Sequence, residues 1–266
     1  AEFASGEVAY LLDEGKAFGT QVWGQQLGVN DYPVLGSTYK VLMAAKDGLE
    51  GTNYWATFSN LNSNAELIAP TGDIAVYNAT VSDGKLTLTK RSNNKVASGE
   101  GVLLKANREY VNAKNISDYV AATTGENDLL ATPAEAGVLN DTNYKHYRLT
   151  YNDVKTKEGI GFYLGVVKDE KGNVTSNDGS QIRVTPGKAY LKVSIQAATE
   201  PSTAKLVSGF AFGGDNGETT GIECITITDE STHGNSVEGI FDLQGRKVSK
   251  LEKGLYINNG KKVIIK

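Results

Sequence analysis

Side chains able to act as acids, bases, nucleophiles or metal ligands are sparse in this chain. It contains two histidines, His146 and His233, and one cysteine, Cys224. His146 lies in the alternating segment 144–148, which predicts an exposed position on a strand, and His233 lies in a polar segment. Because neither has a partner at metal-site or triad spacing, we expect both to be surface residues. Cys224 is expected to be a small core or edge residue rather than a nucleophile.

Carboxylates do not supply a catalytic pair by their spacing. Asp13 and Glu14 are adjacent in sequence, as are Asp169 and Glu170, so on a strand the members of each pair would face opposite ways. Residues 169–179 are rich in oxygen ligands, which leaves a calcium loop and a polar hairpin loop as interpretations, and the departure from EF-hand spacing favours the polar loop. We predict no catalytic residue, no metal site and no cofactor, and we expect that the chain is not an enzyme.

Aromatic residues are the remaining candidates for ligand binding. The chain has 13 tyrosines and two tryptophans. Trp23 and Trp55 are weak candidates for a face that binds a ligand by stacking. The alternative is that both tryptophans, with Tyr77 and Phe162, fill the core of the fold, and the use of aromatic residues in β-sheet packing favours this alternative.

Charge and hydropathy exclude several classes of partner. The net charge is -4 and the sequence pI is about 5.4, so the chain has no basic footprint for nucleic acid. No run of apolar residues approaches the ~18 that cross a bilayer as a helix, and a membrane span is not expected. The single cysteine excludes an intrachain disulfide. We expect a monomer.

Apolar residues alternate with polar ones in short runs, which is typical of strands with one buried face. Examples are 85–90, 160–166, 189–193 and 225–227. These faces cannot all be buried in one flat sheet, so the prediction is an all-β fold, an antiparallel β-sandwich with a small carboxyl-terminal β-hairpin or sandwich domain. Helical turns are expected only in segments 115–122 and 125–131, each of which could supply one or two turns.

Four segments are expected along the chain. Residues 1–48 form an amino-terminal β segment that continues from an upstream region, and residues 49–213 form the β-sandwich module. Residues 214–236 form a linker with one strand, beginning in a stretch without apolar residues. Residues 237–266 form a small β module.

The carboxyl-terminal segment carries the most specific pattern. Residues 239–248 and 253–266 each predict a hairpin, and the second has Asn259-Gly260 at its turn, where positive φ angles are required. This segment resembles the carboxyl-terminal sorting domain of the type IX secretion system of Gram-negative anaerobes, in a compact form. The positions assigned to the sorting signal are Phe241, Asp242, Leu243, Gly245, Arg246, Val248, Gly254, Tyr256, Gly260, Lys261 and Lys266.

The body of the chain resembles a block found in large surface proteins of the same anaerobes. The resemblance lies at Trp23 and in segments 6–12, 26–28, 31–35, 54–57, 70–77, 101–105, 161–163 and 186–191. Together these resemblances imply a non-catalytic carboxyl-terminal part of a secreted cell-surface protein, located outside the cell in association with the outer membrane. Its expected role is a structural stalk that presents an upstream region, with the secretion machinery as partner of the tail. The alternative is an adhesin-like module that binds a glycan or a host protein.

Overall fold

The structure is a computed structural model, and nearly all of its regular structure is β. It describes residues 2–13, 21–48, 51–70, 74–82, 84–121, 127–155, 157–194, 209–212, 226–229, 240–241, 254–258 and 261–265. The chain divides into two compact units, Ala1–Asp229 and Glu230–Lys266. The predicted all-β class is confirmed.

Two short helices, α1 (Glu2–Ser5) and α2 (Glu7–Leu12), precede the strands. The described strands in chain order are β1 (Trp23–Gly24), β2 (Val34–Leu35), β3 (Tyr39–Met43), β4 (Ala45–Lys46), β5 (Tyr54–Ser59), β6 (Asn64–Ile68), β7 (Ile74–Ser82), β8 (Lys85–Lys90), β9 (Lys95–Val96), β10 (Gly101–Ala106), β11 (Tyr110–Ile116), β12 (Leu129–Ala131), β13 (Gly137–Asn140), β14 (Tyr144–Asp153), β15 (Glu158–Leu164), β16 (Val167–Lys168), β17 (Val174–Ser176), β18 (Gln181–Val184), β19 (Ala189–Ser194), β20 (Gly209–Ala211), β21 (Thr226–Asp229), β22 (Ile240–Phe241), β23 (Gly254–Asn258) and β24 (Lys261–Ile265).

A central sheet organises the larger unit. Its strands lie in the order β21-β8-β7-β10-β5-β4, and each neighbouring pair is antiparallel except β21 with β8. Strand β5 is buried on both faces, since Ala56 and Phe58 belong to one core and Trp55 belongs to another. The larger unit therefore builds three β layers around two cores, which is consistent with the predicted antiparallel β-sandwich.

The first core lies between the central sheet and a four-stranded outer sheet of order β3-β11-β6-β9. Small and branched side chains dominate it, with Phe58 as its largest fully buried member. Helix α2 packs on the same sheet, where Ala9 meets Leu27 and Val41.

The second core lies between the central sheet and a five-stranded outer sheet of order β12-β19-β14-β15-β20. Its large buried side chains include Phe162, Phe210 and Leu191. The predicted one-sided alternation is confirmed in β8, where Leu86 and Leu88 are fully buried in this core. A smaller sheet, β13 paired with β18, adds a cluster in which Ile182 and Val184 contact Tyr190. Two further two-stranded ribbons are formed by β1 with β2 and by β16 with β17.

The two segments expected to supply helical turns contain strand residues, and their other described residues, 117–121 and 127–128, are not helical. Asn115 and Ile116 end strand β11, which pairs on both sides with β3 and β6. Leu129–Ala131 is strand β12, which pairs with β19. The helical preference of these residues is overridden here, because pairing with neighbouring strands gives their backbone N–H and C=O groups hydrogen-bond partners.

The smaller unit contains a three-stranded antiparallel sheet of order β22-β23-β24. Strand β23 pairs with β24 from Gly254↔Ile265 to Asn258↔Lys261, which confirms that the second predicted hairpin has paired strands in this register. The turn residues Asn259 and Gly260 lie outside the described residues. Strand β22 pairs with the carboxyl-terminal end of β23, with Phe241 opposite Ile257.

Candidate functional site

The assigned sorting positions fall partly in the small sheet. Phe241 lies in β22, Gly254 and Tyr256 lie in β23, and Lys261 begins β24. The sheet thus brings the two sequence motifs, which are separated along the chain, onto neighbouring strands. The other assigned positions lie outside the described residues: Asp242, Leu243, Gly245, Arg246, Val248, Gly260 and Lys266.

His146 is not a surface residue, and that prediction is wrong. Its side chain is 1% exposed, and ring Nδ1 lies 2.9 Å from the carbonyl oxygen of Gly179. The ring also contacts Tyr190, at 5.7 Å between centroids. This face of β14 is covered because the backbone of Gly179 bonds to β14 and strand β18 packs beside it. Burial lowers the pKa of His146 below its ordinary value, so the neutral imidazole is favoured.

The other two residues considered for catalysis, His233 and Cys224, lie outside the described residues. Within the part of the chain that the structure describes, no group of three or more His, Cys, Asp or Glu side chains is arranged to hold a metal ion.

The oxygen-rich segment 169–179 uses its carboxylates within its own turns. Asp169 accepts hydrogen bonds from the backbone of Lys171 and Asn173 and from the Asn173 side chain. Asp178 accepts from the backbone and hydroxyl of Ser180. These bonds lower the pKa of both aspartates. The arrangement favours the polar-loop interpretation over a calcium site, since the carboxylate oxygens already have donors.

The two tryptophans occupy different environments. Trp23 is half-buried in β1, opposite Leu35 of β2. Trp55 is 4% exposed, and its ring packs at 4.7 Å from Phe212 and 6.1 Å from Tyr77, with Lys105 Nζ 5.3 Å from the ring centre. Because they lie in separate sheets, the tryptophans do not form one binding face. Trp55 belongs to the second core, as the packing alternative predicts.

A cavity of about 290 Å³ lies beside Trp55. It is bordered by the edge of the central sheet, at β4 and β5, and by β14, β15, β18 and β19 of the outer layers. The described residues that line it are Met43, Ala45, Trp55, Ala56, Thr57, Thr132, Arg148, Leu149, Thr150, Ile160, Ile182, Arg183, Val184, Thr185, Lys188, Ala189 and Tyr190.

The charged residues in this lining are all cationic. It contains three cationic residues, Arg148, Arg183 and Lys188, and among its described residues none is aspartate or glutamate. The indole Nε1 of Trp55 is buried and has no hydrogen-bond acceptor among the described residues. Buried donors are normally paired, so this one marks an unusual position. The lining therefore offers donors and positive charge beside apolar walls.

Sequence reasoning named Trp55 but not the cavity. The lining residues come from distant parts of the chain, between Met43 and Tyr190, and meet only when four sheets pack together. Arg148 and Arg183 stand at exposed positions of alternating strands, which is the ordinary pattern of a solvent-facing strand residue. No local signal in the sequence distinguishes them from other surface arginines.

None of the described helices is long and apolar enough to cross a membrane. Searches of protein-family models, of curated proteins and of solved structures found no match to this chain.

Proposed function

We propose that this chain is the non-catalytic carboxyl-terminal part of a secreted cell-surface protein, in which residues 230–266 direct sorting. The observation that carries this proposal is the small sheet. The two motif segments pair as strands β22, β23 and β24 within a compact unit of their own. A sorting signal must be recognisable regardless of the domain that precedes it, and every described strand of this sheet comes from residues 230–266, which supports that role.

The larger unit suits a presenting role. Its central sheet is covered on both faces, and two cores tie three layers into one unit. Such layering resists local opening, because strands in contact with two cores can separate only if both are exposed. We rank the adhesin-like alternative second, because Trp55 packs against Phe212 and does not present an open ring for a sugar.

The test is a secretion assay. Residues 230–266 are fused to a periplasmic reporter and expressed in a host that has type IX secretion, and the reporter is located by cell fractionation. We expect delivery to the surface or the medium, and loss of delivery when residues 261–266 are removed. As a control, a second fusion that carries the full chain with Lys85→Gln should be delivered normally, because this substitution lies outside residues 230–266. Retention of the intact fusion in the periplasm would refute the sorting role.

A further inference from the structure

We infer that the cavity beside Trp55 binds a small amphipathic organic anion, with a carboxylate at one end and an apolar body. The cavity lies entirely within the larger unit, so this inference goes beyond the sorting role proposed for residues 230–266. It rests on two features of the lining: its charge and its apolar walls.

The charge of the lining opposes that of the whole chain. The protein has 31 acidic and 27 basic residues, yet the described lining contains three cations and no carboxylate. Arg148 and Arg183 are exposed at its border and, among the ion pairs between described residues, neither takes part in one. Arg183 makes a single long contact, 3.4 Å to the carbonyl oxygen of Lys168. Guanidinium groups of this kind bind carboxylates through paired hydrogen bonds.

The walls favour an apolar body over a neutral sugar. Met43, Leu149, Ile160, Ile182 and Val184 contribute aliphatic surface, and the hydroxyl groups come from threonines. The described lining residues include no Asn or Gln, whose amides both donate to and accept from sugar hydroxyls, and no Asp or Glu, whose carboxylates accept from them. The volume of about 290 Å³ is close to the lower limit of ~300 Å³ for ligand pockets. It suits a molecule with one ring or a short chain.

The experiment uses the full chain and three probes. Phenylacetate carries the proposed chemistry, phenylacetamide has the same ring without the charge, and glucuronate has the charge on a sugar. In a Trp23→Phe variant Trp55 is the one remaining tryptophan, so its fluorescence reports on the cavity. Amide chemical shifts of the unsubstituted protein give an independent reading. We expect saturable binding of phenylacetate that perturbs Trp55. Phenylacetamide should bind at least about tenfold more weakly, because it loses a charged hydrogen bond. Glucuronate should also bind at least about tenfold more weakly, because its hydroxyl groups would be placed against apolar walls without partners.

Binding should depend on the cavity arginines. Arg148→Gln combined with Arg183→Gln should weaken phenylacetate binding about tenfold, since two charged partners are lost. Lys85→Gln removes the same kind of charge from an exposed position outside the lining and should change affinity less than about twofold. Three results would overturn the inference: no saturable response to phenylacetate, equal binding of phenylacetamide, or preference for glucuronate. Equal weakening by Lys85→Gln would also overturn it, because only the net charge would then matter.

Discussion

His146 donates two hydrogen bonds to one acceptor, the carbonyl oxygen of Gly179. The backbone N–H lies 2.8 Å from that oxygen and ring Nδ1 lies 2.9 Å from it. Because a carbonyl oxygen can only accept, the proton of the neutral ring is assigned to Nδ1. Gly179 has φ +77°, and an added Cβ there would collide with the side chain of Leu164. These bonds fasten the end of the polar loop to strand β14.

The first prediction concerns pH. Burial lowers the pKa of His146 in the folded protein; Lys192 and Lys145 act in the same direction, whereas the Gly179 carbonyl and Asp141 oppose it. The unfolded state therefore binds the proton more readily, so the stability linked to His146 is fully present above its ordinary pKa of about 6.5 and is lost as pH falls below it. Urea unfolding at intervals between pH 7.5 and 5.5 should show a declining free energy of unfolding.

His146→Gln is the matched variant, because it keeps a side-chain donor but cannot titrate. It should be less stable at pH 7.5, by about 1–3 kcal/mol for an imperfectly placed buried group, yet show a shallower decline toward pH 5.5. If the two proteins lose stability with the same slope, His146 is not responsible for the pH dependence.

The alternation of residues was sufficient to predict strands but not layers. Leu86 and Leu88 in β8, and Ile160 and Phe162 in β15, are buried on one face as expected. The same alternation around His146 predicted a solvent-exposed side chain, because it cannot reveal that β18, more than thirty residues later, covers that face. Which face of a strand is buried depends on long-range packing, and period two is the same in either case.

The candidate cavity was unpredictable for a related reason. Its arginines look like ordinary solvent-facing residues, and its walls come from strands of four sheets. The amino-terminal helices were also not anticipated within the predicted β segment 1–48. Both helices are short. Helix α2 is stabilised by the packing of Ala9 on Leu27 and Val41, and its sequence is too short to show a sustained helical repeat of apolar residues. Tertiary contacts therefore determine these features.

The second prediction concerns the two cores. Phe58 fills the first and Phe162 fills the second, and each is fully buried. Phe58→Ala and Phe162→Ala should each lower the free energy of unfolding by about 3–5 kcal/mol. Because both cores pack on the central sheet, each variant should still unfold in one transition, with fluorescence and circular dichroism changing together. Val154→Ala, at a position 69% exposed, should change stability by less than about 0.5 kcal/mol. Two separate transitions would contradict the shared central sheet.

The third prediction concerns Gly161, where β15 pairs closely with β20. A Cβ at this position would collide with the carbonyl oxygen of Phe210, whereas a Cβ at Gly137 would have no atom within 4 Å. Gly161→Ala should therefore cost about 2 kcal/mol or more, because strand β20 must shift. Gly137→Ala should be neutral or stabilising by up to about 1 kcal/mol, through the reduced entropy of the unfolded chain. Thermal unfolding of the two variants compares them directly, and equal midpoints would contradict the close approach of β20.

The fourth prediction concerns the tryptophans. Trp55 is buried against Phe212, whereas Trp23 is half-buried in a two-stranded ribbon. Trp23→Phe should leave a blue-shifted emission that acrylamide quenches poorly, and Trp55→Phe should leave a red-shifted emission that it quenches well. Comparable quenching constants in the two variants would show that Trp55 is not enclosed as described.

The fifth prediction concerns the independence of the two units. Every described sheet lies entirely within residues 1–229 or entirely within 230–266. A chain that ends at Asp229 retains β21, which pairs with β8. Its thermal midpoint should lie within about 3 °C of that of the full chain, and a shift of that size corresponds to roughly 1 kcal/mol for a domain of this length.

The isolated smaller unit has fewer than about 40 residues, below the length at which a chain without disulfides or metals usually folds alone. Its circular dichroism should therefore show weak β structure that strengthens when it is fused to a folded reporter. A large fall in the midpoint of the truncated chain would mean that the smaller unit contributes stability to the larger one, and the sorting segment would then be part of a single cooperative fold.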